Sequence, residues 1–183
     1  MMEKTAEKTS KPFVIERQFK APRALVFAAL TQPEHLMHWM SPPGMGMSRC
    51  TVDLRPGGVF HYALQMPGGT AMWGKWIYRE IVPPERLVVV VQFSDEAGGV
   101  TRHPLAADWP LSTLSTTTLT ESSGVTTLHL EWRALDALEA EEALFNNSHA
   151  SMTQGWGGSM DNLAAHLSAV QPALPALPLP SRA

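Results

Sequence analysis

The chain has 183 residues, 44% hydrophobic and 17% charged, with a formal net charge of -3. That composition supplies a core for one domain and excludes wholesale disorder. The negative balance and the absence of any Lys/Arg run argue against nucleic acid as a partner. A single cysteine, Cys50, excludes a disulfide framework and a Cys-rich zinc site, and fits a reducing, cytoplasmic setting. The polar N-terminus lacks an apolar signal core, and no stretch approaches the ~18 apolar residues that span a membrane.

Residues 1–11 read as a polar, loose tail, 12–170 as one domain, and 171–183, with four prolines, as an extended tail. Alternation over 13–19 predicts an edge strand whose face of Phe13, Ile15, Arg17 and Phe19 carries one charge. Ala21-Pro22 opens a helix with proline in its first turn, and Leu25, Val26, Ala29 and Leu30 give it an apolar face. Thr31-Gln32-Pro33-Glu34 has capping-box spacing and predicts a second short helix through Trp39.

Strands are then predicted over 47–54, 59–66, 72–82, 87–93, 113–120 and 125–132, punctuated by Gly and Pro turns. Six successive strands with short connections imply an antiparallel meander, to which the first strand returns as an edge. Residues 94–112, with Gly98, Gly99, Pro104 and Pro110, read as a long loop of the lid or binding kind. From 138 to 170 the period becomes helical, with Met152, Trp156, Leu163, Leu167 and Val170 near one face. A helix of that length would run about 50 Å at ~1.5 Å per residue. Two pieces or a kink are therefore expected, with Gly155, Gly157 and Gly158 marking either a break or a close approach.

No residue pattern compels catalysis. His35 and His38 share a helical face but have no third ligand at a telling interval, so no metal is expected. Cys50 reads as a buried strand thiol, with Arg49 on the opposite face. Arg79 and Glu80 read as a structural ion pair, Asp161 and Glu142 as solvated helix positions. No catalytic dyad and no phosphate-binding loop is found. The aromatic and methionine content is the stronger signal. Trp39, Tyr62, Trp73, Trp76, Phe93, Trp132, Met152 and Trp156 fall in segments expected to line a concave sheet face or the helix that fills it. Rigid rings around a helix carrying three glycines favour a residual apolar pocket, and the Tyr62 hydroxyl and indole N–H groups are its candidate polar contacts.

Four segments together carry a resemblance: IERQFKAPRALVFAALTQPEHLMHWMSP, VDLRPGGVFHY, WGKWIYREIVPPERL and SMTQGWGGSMDNLAAHL. In that order they resemble the START-like, helix-grip (SRPBCC) superfamily, and within it the branch named after the activator of heat-shock protein 90 ATPase, over roughly 13–167. The resemblance implies an α+β fold of order β-α-α-β₆-α, with a curved antiparallel sheet of about seven strands gripping the C-terminal helix. It also implies a cavity that holds apolar ligands in many relatives. Branch members include chaperone cofactors, lipid or hormone carriers and cyclases, so fold alone does not choose among them. The true chaperone activator carries an additional N-terminal domain; with eleven residues before the first strand, direct chaperone activation is not expected here.

The expectation is therefore non-catalytic binding of a small hydrophobic or aromatic ligand, with no cofactor. Ligand entry is expected near the 94–112 loop and the 41–47 segment. A cyclase, dehydratase or hydrolase using the same cavity is the first alternative and requires an ionisable group inside it. A chaperone cofactor or a partner of a transcriptional regulator is the second, and requires an exposed apolar patch. Monomer and homodimer are both compatible with the sequence.

Overall fold

Elements follow the turn signals closely. The structure, a computed structural model, describes residues 11–42 and 44–171; the N-terminal tail through residue 10, Pro43 and the proline-rich tail from 172 onward lie outside the described residues. Strand β1 (Phe13–Phe19) leads into helices α1 (Arg23–Thr31) and α2 (Pro33–Trp39). Strands β2 (Gly46–Val52), β3 (Val59–Gln65), β4 (Ala71–Val82), β5 (Arg86–Ser94), β6 (Ser112–Ser122) and β7 (Val125–Leu135) follow, then α3 (Glu139–Asn147) and α4 (His149–Val170).

The sheet has seven antiparallel strands in the order β1-β7-β6-β5-β4-β3-β2, so β1 returns to the edge beside β7, with Phe13 opposite Trp132. Register shifts at Met47/Arg49 and Tyr78/Glu80 are the bulges that increase local twist and bend an otherwise regular meander. Alternation puts Phe60, Trp76, Tyr78 and Leu128 on the buried concave side. α4 lies across that side, sinking Met160, Leu163 and Leu167 into a core shared with α1 and α2.

Three local expectations are corrected. Thr31 is not a cap: it ends α1, and its hydroxyl donates to the Phe27 carbonyl at 2.8 Å. The extended Gln32 joins the two helices, and Pro33 opens α2, where its missing N–H costs nothing. The long helical segment does break, but at Ser148, whose N–H closes α3 on the Leu144 and Phe145 carbonyls. The glycines lie inside α4, and a Cβ on Gly155 or Gly157 would meet no atom within 4 Å. None of the three is a break, and Gly155 and Gly157 mark open space rather than a tight crossing. Glu80 pairs with Arg86 at 3.1 Å rather than with Arg79, because the adjacent bulge re-aims it across to β5. Asp161 pairs with Arg17, which accounts for the charge on the buried-side register of β1.

Candidate ligand-binding cavity

The concave side is packed at both ends and unfilled between them. One cluster surrounds α1, α2 and the C-terminal half of α4; a second joins Phe13, Phe145 and Met152. Trp132 and Trp156 pack against both, with ring centroids 5.6 Å apart and nearly perpendicular. Between the clusters lie an inner chamber of about 70 Å³ and a more open outer chamber of about 260 Å³, with Met40, Tyr62, Trp132 and Trp156 as common walls. An apolar cavity of about 150 Å³ holds a benzene. The inner chamber is thus too small for a ring, and the outer one accepts it.

Of the eight residues singled out, five border the inner chamber: Trp39, Tyr62, Trp76, Trp132 and Trp156. Met152 borders the outer one. Trp73 and Phe93 border neither. Trp73 is three residues from Trp76, and a strand repeats every two, so it turns to the convex face and stacks on His61 at 5.0 Å. Phe93 keeps inward register, opposite Gly74, but its ring is covered by His103 at 4.5 Å.

Other lining residues were not singled out from the sequence. Trp109, in the 95–111 loop, reaches the outer chamber beside Pro42 and Gly155. From β6, Ser115 and Thr117 present hydroxyls to the inner chamber, and neither has a hydrogen-bond partner among the described residues. Their signal was legible: in Ser112–Ser122, positions 113, 115 and 117 are all hydroxyl residues on one face.

Polar capacity in the hollow is therefore small and uncharged. The indole N–H of Trp39 donates to the Ala29 carbonyl at 2.8 Å, and that of Trp132 to the Thr113 hydroxyl at 2.6 Å, so neither is free to orient a ligand. Tyr62 is the only ionisable residue among those lining the two chambers. Removal from water pushes its pKa up to about 12, against the opposing pull of the Trp76 indole, so its proton stays in place at neutral pH. Its ring lies flat over Gly74, where a Cβ would sit 2.5 Å from the hydroxyl.

Outside the hollow, Cys50 is half-buried and its thiol pKa is raised, first by burial and then by Glu34, which opposes nucleophilic use. His166, 131 residues from His35 in sequence, places its Nε2 2.8 Å from His35 Nδ1 and stacks on His38. Even with that third imidazole, no group of three His, Cys, Asp or Glu among the described residues is arranged to hold a metal. No described helix is long and apolar enough to cross a membrane.

Comparison with known proteins agrees with this architecture. The model of the family described as "Activator of Hsp90 ATPase homolog 1-like protein" matches residues 20–168. No curated protein matches the chain. Among solved structures, a protein from Arthrobacter aurescens is similar at 24% identity and TM-score 0.72, covering 91% of each chain. A Rhodobacter sphaeroides protein superposes at TM-score 0.71 with 21% identity, covering 90% of this chain and 97% of its own. The AHSA1 protein of Silicibacter pomeroyi gives 0.66 at 18% identity, with 88% and 100% covered. At these identities the likeness is one of fold.

Proposed function

The chain belongs to the Activator of Hsp90 ATPase homolog 1-like family, and from that premise we propose that it is a non-catalytic, cytoplasmic binder of a small, uncharged hydrophobic or aromatic molecule. The observation that carries the proposal is the hollow left by Gly155 and bounded by Tyr62, Trp132 and Trp156, with uncharged hydroxyl and indole groups as its polar atoms. A charged ligand would lose its hydration there without a counter-charge, at a cost of several kcal/mol. A flat ring fits the outer chamber, with a short substituent aimed at Ser115 and Thr117. An enzyme working in the same hollow would need a group that exchanges a proton near neutrality, and Tyr62 is held protonated.

Native mass spectrometry of freshly purified protein is the test. A retained neutral compound, or saturable tryptophan quenching by naphthalene-sized aromatics, is the expected result. Absence of both, together with unchanged thermal stability at millimolar aromatic concentrations, would remove the carrier reading.

A further inference from the structure

The loop between β5 and β6 projects outward at Leu105, which is 78% exposed, yet a few residues later it packs a half-buried indole against the core. Trp109 borders the outer chamber, and its ring lies 5.5 Å from Phe145 of α3. One side chain ties this placement to the fold. The Arg102 guanidinium donates to the Trp109 carbonyl at 3.3 Å and pairs through the same Nη1 with the Glu141 carboxylate. That carboxylate also accepts the Leu138 N–H at 3.0 Å, fixing it to the first turn of α3.

The burial is uneven: the Glu141 side chain is 7% exposed and that of Arg102 45%. A carboxylate this buried is tolerated only when paired, so the geometry of Arg102 is over-determined from the α3 side. A loop anchored for stability alone would not need to present an indole to the cavity mouth.

We propose that Arg102 and Glu141 are positioning residues that hold Trp109 across the outer chamber, making Trp109 the residue that selects ligands by width and sets their rate of release. This rests on the reading of the hollow as a ligand site. The lowered pKa of Glu141, caused first by the Arg102 hydrogen bond and then by the Leu138 N–H, keeps the pair charged at neutral pH.

The test uses the full chain and the neutral fluorescent probe N-phenyl-1-naphthylamine. R102A and E141Q should each speed probe release at least fivefold, and the double variant should go no further, because both remove one device. W109A should release as fast, with no added effect of R102A. E139Q, at an exposed position of the same helix turn, should behave as wild type. R102K keeps the charge without the planar fork and reports on geometry if E141Q folds poorly.

A second readout needs no ligand: 19F NMR of protein labelled with 5-fluorotryptophan, with the Trp109 resonance assigned by its loss in W109F. The expected result is a shift of that resonance toward the solvent-exposed value in R102A and E141Q. A resonance unmoved in folded variants overturns the proposal, as does a moved resonance with unaltered probe release. A moved resonance in a protein that binds no probe even as wild type sinks the carrier reading, and with it the selecting role of Trp109, while its tether stands.

Discussion

An alanine at position 74 would place its methyl 2.5 Å from the Tyr62 hydroxyl, 2.6 Å from Cζ and 3.0 Å from Cε2. Carbon contacts settle near 3.5 Å, so the phenol end must retreat by about 1 Å. The added Cβ points from the concave face, and the ring is pushed off the sheet toward the chambers it borders. Since that direction holds empty space, the stability cost is small. Disturbing the approach of the Trp76 indole costs about 0.5–1.5 kcal/mol. Removing a glycine from the interior of a strand returns about 0.5–1 kcal/mol. The net lies within about 1 kcal/mol, a change in Tm of less than about 4 °C for a domain of this size. Binding responds differently, because the displaced ring occupies the ligand's room: affinity for N-phenyl-1-naphthylamine should fall at least tenfold, about 1.4 kcal/mol. Thermal melts and probe titration of G74A, Y62A and the double variant measure both quantities. In the Y62A background the clash is gone, and G74A should become stabilising by about 0.5–1 kcal/mol. A loss above about 3 kcal/mol in G74A alone would mean that Tyr62 is wedged into packed core and that no chamber lies behind it. Unchanged affinity would refute the placement of the ligand.

Gly155→Ala should raise stability by about 0.5–1 kcal/mol in a denaturant melt, since its Cβ meets nothing within 4 Å and a mid-helix glycine is the poorer helix former; Gly155→Leu should also displace the probe from the outer chamber. Replacing the unpartnered hydroxyls, in S115A/T117V, should leave the melt nearly unchanged and weaken 2-naphthol about fivefold, ~1 kcal/mol, while sparing naphthalene; equal losses for both compounds would remove the hydroxyls from recognition. The pKa values of His103, His149 and His166 are all lowered, burial being the first cause in each. The unfolded chain therefore takes up protons first as pH falls, so stability is full above the ordinary histidine value of 6.5 and declines as pH drops through it toward the lowered folded values. Tm measured from pH 8 to 5 should fall, and H166Q should flatten the slope; a Tm that rises toward pH 5 would contradict the lowered values.

Much of this molecule is written in local pattern. Period-two alternation marks β1 and β3, a valine run marks β5, and Gly- and Pro-rich punctuation separates the strands, because turn conformations and missing N–H groups act within a few residues. Trp39, Tyr62, Trp76, Trp132 and Trp156 are identifiable as facing the hollow for the same reason. The strand period also separates Trp73 from Trp76, and it marks the hydroxyl face of β6. What the chain does not spell out locally is where packing stops short. The glycines of α4 signal missing volume, yet only the path of the helix across a bulged sheet decides that Gly155 opens onto a chamber rather than a neighbouring backbone. Likewise His166 meets His35, and Arg102 meets Glu141 and so fixes Trp109, through contacts between segments far apart in sequence. Such meetings depend on the summed curvature of seven strands. Sequence by itself determined the elements and their order, because those are set by short-range sterics and periodicity. Tertiary structure alone decided the size of the hollow, its lack of charge and the residue at its mouth, because a cavity is the volume that distant elements fail to fill.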